Sequence, residues 1–188
     1  MKTTAVFLDR DGVINEAVRG HWTDTVDDFE MFPFTIDAIK MLNEMKIPVF
    51  VVTNQSGVAR GTLKRSEHFG ILSKMFRLFE ENEVQVEWIY ACPHPKNPAV
   101  CHCRKPSPNM IYRAIKDFRV KMGKMWFIGD CASDVETAFN AGITPIMVRT
   151  GLWDGKELEE AIQTAKEREE DLIVLDNVYE ACKWIKSP

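Results

Sequence analysis

What the sequence lacks narrows it first. No apolar run approaches the roughly 20 residues needed to span a bilayer, so no membrane partner is expected. There is no basic surplus: 24 Lys and Arg stand against 28 Asp and Glu, a net charge of −4. Nucleic-acid phosphates are gripped by clustered cations, so a broad nucleic-acid surface is not expected either. A local basic pocket for a small phosphorylated molecule is still allowed. The opening stretch MKTTAVFLDRDG has one lysine and a short apolar run broken by Asp9, which is not a signal-peptide pattern, so the default location is cytoplasmic. The five cysteines are an odd number and three of them fall within residues 92–103, which favours metal ligation over a disulfide scaffold. Internal repeats and low-complexity tracts are missing too, and 188 residues suit one domain, 1–188, with a core of its own.

What is present alternates between two patterns. TAVFLD (4–9), IPVFVVTN (47–54), KMWFIGD (124–130) and ITPIMVRTG (143–151) are short runs, apolar on both faces. Strands of a sheet covered on both sides read this way. VQVEWIYAC (84–92) is a weaker strand, and DLIVLDN (171–177) reads as a late edge strand. Helical spacing occupies 35–45, 66–82, 107–118 and 133–142, the second with Phe69, Leu72, Met75, Phe76 and Phe79 three to four apart. Ser107 with Pro108 reads as one helix start, Ser133 with Glu136 as another, and Gly142 as a stop. The charged run 155–171 reads as a solvated helix. Strand–helix alternation implies an α/β fold with a central, mostly parallel sheet and helices on both faces. No large cap domain is expected, and with no long amphipathic surplus face the chain is expected to be a monomer.

The stretch VFLDRDGVIN (6–15) ends an apolar strand on two acids, Asp9 and Asp11. Ligands of open α/β sheets bind beyond the carboxyl ends of the strands. Asp9, Asp11, Thr53, Asn54 and Asp130 all follow such ends, so topology brings them together. Clustered carboxylates repel unless a cation sits among them, and hard oxygen ligands with room for a phosphate oxygen suit Mg²⁺. Asp9 is then a candidate nucleophile toward phosphorus, and Asp11 a candidate general acid and base. Phosphate-monoester hydrolysis needs more than two carboxylates. TNQSG (53–57), with Asn54, Gln55 and Ser56, and CRKPSP (103–108), with Arg104 and Lys105, supply donors and positive charge.

The ordered set DRDGV (9–13), VVTN (51–54), Lys105 in RKP and GDCASD (129–134) resembles the haloacid dehalogenase superfamily of phosphohydrolases, with a Rossmann-like fold, over residues 5 to about 151. The resemblance implies Asp9 as nucleophile, Asp11 as general acid and base, Thr53 as a phosphate-binding hydroxyl and Lys105 as a cation bridging Asp9 and phosphate. It also implies Mg²⁺ held by the Asp9 side chain, the Asp11 carbonyl and Asp130, with Asp134 orienting either the metal's waters or Lys105.

CPHPKNPAVCHC (92–103) holds Cys92, His94, Cys101 and Cys103, three thiolates and an imidazole that satisfy a closed, structural Zn²⁺ site. His102 is the competing ligand; His94 is preferred, because both neighbours of His102 already point to the metal. Cys131 and Cys182 are expected to be unliganded, and His21 and His68 to be ordinary surface or packing residues. The loop narrows the resemblance to the zinc-containing, capless branch that holds heptose-1,7-bisphosphate phosphatases and histidinol-phosphate phosphatases. A second substrate phosphate calls for guanidinium groups, for which Arg60 and Arg104 are candidates and Arg10 a weaker one. An ammonium-bearing substrate calls for acids such as Glu16, Asp24, Asp27 and Asp28. A zinc-stabilised binding domain without activity is the non-enzymatic alternative.

Overall fold

The computed structural model describes residues 4–16, 23–97, 101–121, 123–151 and 155–187; His21 lies outside them. The elements run β1 (Ala5–Leu8), α1 (Thr35–Glu44), β2 (Val49–Asn54), α2 (Gly57–Arg60), α3 (Arg65–Glu81), β3 (Trp88–Cys92), α4 (Asn109–Asp117), β4 (Met125–Gly129), α5 (Ala132–Ala141), β5 (Thr144–Val148), α6 (Lys156–Glu167), β6 (Ile173–Leu175) and α7 (Val178–Lys186). The strands form one sheet in the order β3-β2-β1-β4-β5-β6. Every pairing is parallel, with Leu8 opposite Val51 on one side and Ile128 on the other.

The apolar strands read from the sequence are apolar on both faces because both faces are covered. Val6, Leu8, Val49, Val51 and Ile128 pack with Ala38 and Leu42 of α1, Ile71 and Met75 of α3 and Val178 of α7. Ala5, Phe7, Phe50, Val52 and Phe127 point the other way, onto Met110, Ile111 and Ala114 of α4 and Ala138 of α5. Phe7 and Phe50 stack with ring centroids 5.4 Å apart. Each fully buried side chain of this size contributes about 1.5–3 kcal/mol, so the central strands are the part of the sheet hardest to distort. The site stands on their ends.

Local details depart from the sequence reading. Pro108, not Ser107, sits at the cap of α4, and the Ser107 hydroxyl donates to the His102 carbonyl while accepting a long bond from Asn109 N–H. α5 starts earlier than Ser133, with Cys131 at the cap and Asp134 in place of Glu136 closing the capping box; Gly142 ends it as expected. On α3 the buried positions are His68, Ile71, Met75 and Phe79, leaving Phe69 and Phe76 exposed. α7 was not legible as a helix. It is short, opens on an Asn177 cap that accepts from Glu180 N–H, and buries only Val178, Ala181 and Cys182. Between β1 and α1 the described residues hold no helix or strand, only isolated bridges from Asn15 to Asp11 and Met31.

Candidate active site

β1 lies at the middle of the sheet between β2 and β4, so the residues after these three strands converge at one edge. Asp9 follows β1, Thr53 and Asn54 close β2, and Asp130 follows β4. Lys105 arrives from the loop before α4 and is buried at 3% exposure. Its Nζ lies 2.8 Å from Asp9 Oδ1 and 2.6 Å from Asp134 Oδ1, and donates to the Val52 carbonyl at 3.1 Å. Burial alone would lower the pKa of this amine, but Asp134 and Asp9 more than offset it, and Lys105 is held protonated. Asp134 divides its two oxygens. One meets Lys105, and the other accepts from the backbone N–H groups of Asp130 and Cys131 at 3.2 and 3.3 Å and from the Cys131 thiol. Of the two roles open to Asp134, orienting Lys105 is the one the geometry displays.

Two glycines make the convergence possible. Gly12, at φ +78°, leaves the Asp130 carboxylate pressed against the turn after β1, where a Cβ would collide with Asp130 Oδ2. Gly129 does the same for Asp134, whose side chain occupies the space of a Cβ. Thus the turn carrying Asp11 touches Asp130 at Gly12, and Gly129 lets the start of α5 fold back onto the end of its own strand.

The electrostatics ask for a cation. Burial, and then the neighbouring carboxylates against the pull of Lys105, push Asp9 up to about 6. Burial, Asp134 and Asp9 push Asp130 well above the ordinary carboxylate range. Lys105 alone leaves this group of acids short of positive charge, and a hard divalent cation is the species that restores their ionised forms. Mg²⁺ fits.

Asp11 is held differently. Burial would raise its pKa, but Arg10 reverses this, with Gln55 and Asn15, and leaves the carboxyl below its usual range. Arg10 donates to it through Nε at 3.1 Å and through Nη2 at 2.7 Å to both oxygens. Asn15, Thr23 and Gln55 add further donors at 3.1, 3.1 and 3.0 Å. Arg10 is fully buried and spends its Nε and Nη2 on Asp11. Asn15 and Thr23 are site residues that sequence reasoning missed. Nothing in their spacing points to Asp11; the turn after β1 folds them onto it.

The remaining candidates sit in different surroundings. Gln55 is buried and also donates to Thr53 Oγ1 at 2.9 Å. Asn54 spends its amide on the backbone of Lys105, donating to its carbonyl at 3.2 Å and accepting its N–H at 3.0 Å. Ser56 sits at the cap of α2 without a capping bond, and Arg60 at the end of that helix is exposed. Arg104 donates to the His94 carbonyl at 3.3 Å and lines, with Lys96, Cys131 and the acids of α6, a cavity of about 880 Å³ beside Lys105.

Cys92, at the end of β3, begins the second cluster. Cys92 Sγ lies 3.5 Å from His94 Nδ1, 3.6 Å from Cys101 Sγ and 3.3 Å from Cys103 Sγ, and Cys103 Sγ lies 3.3 Å from His94 Nδ1. Ligands at zinc distances of about 2.1–2.3 Å form a tetrahedron with edges of about 3.5–3.8 Å, so the set fits Zn²⁺. Burial pushes the Cys92 thiol up to about 12 and Cys103 upward as well, which a bound metal would reverse by taking thiolates. His102 is exposed and contributes only its carbonyl, to Ser107 and Asn109. The two clusters are tied together: Gln55 N–H donates to the Cys92 carbonyl at 2.7 Å.

Comparison with known proteins agrees with this geometry. A family model described as HAD-hydrolase-like matches residues 102–181. The D-glycero-alpha-D-manno-heptose-1,7-bisphosphate 7-phosphatase of Campylobacter jejuni is 35% identical over 176 residues, covering 90% of this chain and 99% of that protein. The D-glycero-beta-D-manno-heptose-1,7-bisphosphate 7-phosphatase of Escherichia coli is 36% identical over 154 residues, 78% of this chain and 80% of that one. A crystal structure of D,D-heptose 1,7-bisphosphate phosphatase from B. bronchiseptica, complexed with magnesium and phosphate, superposes with a TM-score of 0.80 at 27% identity and covers 97% of both chains. With relatives this similar across most of its length, and a buried Lys105 joining Asp9 at the end of β1 to Asp134 in the first turn of α5, the chain is a phosphoric monoester hydrolase that belongs to the haloacid-dehalogenase-like phosphatases, in the family of the heptose-1,7-bisphosphate 7-phosphatases.

Proposed function

We propose that the protein removes the 7-phosphate of D-glycero-D-manno-heptose 1,7-bisphosphate, acting in the cytoplasm as one catalytic domain. The observation that carries the reading is Lys105 locked between Asp9 and Asp134, in a chain whose relatives carry that substrate in their names. Asp9 supplies the attacking oxygen, because it stands at the strand end with one oxygen on Lys105. Its oxygen–phosphorus bond forms as the ester bond to the sugar oxygen breaks, and the sugar oxygen takes the proton of Asp11. In the second step Asp11 takes a proton from water, the water oxygen bonds to phosphorus, and Asp9 leaves as a carboxylate. Mg²⁺ would be held by Asp9, the Asp11 carbonyl and Asp130, and supplies the positive charge that lets carboxylates and a phosphate dianion share one pocket.

Asp11 is engaged with Arg10 and held ionised in the resting protein, so the acid step requires it to leave that partner and take up a proton from solvent before it meets the leaving oxygen. Thr53 binds the transferred phosphoryl group with its hydroxyl, and Lys105 neutralises it. Asn54 and Gln55 act on the substrate through the residues they hold, Lys105 and Asp11. Ser56, Arg60 and Arg104 stand on the substrate side, the two guanidinium groups serving the second phosphate.

Two assays test this. Wild type with Mg²⁺ hydrolyses p-nitrophenyl phosphate and Asp9→Asn loses at least about 10³-fold in kcat; equal turnover by both ends the aspartyl-phosphate mechanism. Phosphate release from heptose 1,7-bisphosphate exceeds that from histidinol phosphate in kcat/KM, and the reverse order ends the substrate assignment while leaving the chemistry intact.

A further inference from the structure

We infer that the protein associates as a symmetric homodimer through α3, packed antiparallel against α3 of a second copy. The flank of this helix turned away from the sheet is apolar where a solvated helix should be polar. Phe69 is 64% exposed and Phe76 39%, and Trp88, the first residue of β3, is 53% exposed with its ring centroid 6.5 Å from that of Phe76. Leu72, half-buried, lies between the two phenylalanines. β3 is the edge of the sheet, so no strand covers this side. Isolated exposed apolar residues are ordinary, whereas a continuous strip of large ones marks an interaction surface.

The charges at the ends of the strip identify the occupant. Arg65, Phe69, Leu72, Phe76 and Glu80 follow spacings of four, three, four and four, which places them on one stripe of a 3.6-residue helix. Arg65 opens the helix and Glu80 stands one residue before its end, and neither side chain has a partner among the described residues. Both are on the wrong end for the helix itself, whose N-terminus favours acids and whose C-terminus favours bases. An antiparallel copy reverses the relation. With a two-fold axis between Leu72 and Ser73, Arg65 faces Glu80 of the second copy and Phe69 faces Phe76 of the second copy. The two Leu72 side chains then meet beside the axis. Ion pair and aromatic pair share a single centre, and an isologous interface requires such self-complementarity. A strip about 22 Å long with four apolar side chains per copy is at the small end of specific interfaces, so the dimer is a weak one. The monomer expected from the sequence rested on the lack of a surplus apolar face, and α3 carries one.

Sedimentation velocity across a concentration series tests the arrangement. Wild type is expected to be largely dimeric at about 100 µM and monomeric below about 1 µM. Phe69→Glu stays monomeric throughout, with p-nitrophenyl phosphate turnover unchanged because α3's outer flank is remote from Lys105. Arg65→Glu and Glu80→Arg each weaken dimerisation at least about tenfold, since each sets like charges opposite one another twice. The double variant Arg65→Glu, Glu80→Arg returns to within about threefold of wild type. A wild type that is monomeric at about 100 µM, or a dimer indifferent to Phe69→Glu, overturns the interface. A double variant as weak as the singles overturns the antiparallel register.

Discussion

The two candidate metal centres are neighbours built on opposite plans. The oxygen centre gathers Asp9, Lys105, Asp130 and Asp134 from the ends of two strands, a loop and a helix, spread over residues 9–134. The sulfur centre draws all four ligands from residues 92–103, and only Cys92 stands on a strand. The first is positioned by the packed core beneath it and needs a cation chiefly to cancel charge. The second takes His94, Cys101 and Cys103 from a loop and needs a cation to hold that loop's shape. Preorganisation by a sheet and preorganisation by a metal are therefore adjacent in one site, joined by the Gln55–Cys92 backbone bond and by Arg104 and Lys105, which follow Cys103 directly.

Chelation should separate the two centres most sharply. EDTA is expected to abolish turnover at once, with full recovery on adding Mg²⁺, because the carboxylate frame stands without the ion. Prolonged treatment with a zinc-selective chelator should lower Tm and activity together, and Mg²⁺ alone should not restore either. If Mg²⁺ rescues the zinc-stripped protein completely, the sulfur centre does not hold the Lys105 loop.

The oxygen centre also has a pH signature. Asp9 is raised from 3.8 to about 6, so in that interval the metal-free folded state binds more protons than the unfolded chain. Its contribution is present at low pH and lost as pH rises through about 6. Mg²⁺ replaces the protons, so the Tm gained on adding Mg²⁺ should be small near pH 4.5 and grow toward pH 7. A gain independent of pH would mean that the ion binds elsewhere. Lys105→Met tests the same centre from within: it strands two buried carboxylates and should destabilise the metal-free protein by about 3–5 kcal/mol in urea unfolding, less when Mg²⁺ is present.

The smallest effect expected is at the junction between the centres. Asn54→Ala removes both bonds to the Lys105 backbone and should cost about 1–3 kcal/mol, with kcat falling more than KM rises, because the amine is misplaced rather than lost. An unchanged kcat would show that the Asp134 and Asp9 contacts alone fix Lys105.

How much of this was legible follows from where each signal resides. Strand runs were legible because burial on both faces demands unbroken apolar sequence, as in Ala5–Leu8 and Val49–Val52. Asp9 and Asp130 were legible as strand-end acids, and the thiolates by spacing alone. Arg10 was not: an arginine in a polar motif reads as a surface group, and only the turn at Gly12 buries it against Asp11. The exposure of Phe69 and Phe76 on α3 was not legible for a related reason. Helical periodicity marks an apolar stripe, but which part of it meets the sheet depends on how the helix is rotated against β1 and β2.

Sequence by itself determined the parallel α/β architecture, the strand-end acids and the clustering of Cys92, His94, Cys101 and Cys103, because each is written in local pattern or short spacing. Only the tertiary structure decided that Asp134 serves Lys105, that Asn54 clamps the Lys105 backbone and that Arg10 belongs to Asp11. The first two are choices among partners far apart in the chain, fixed by the order of strands, and the third is fixed by the turn at Gly12; no local pattern encodes them.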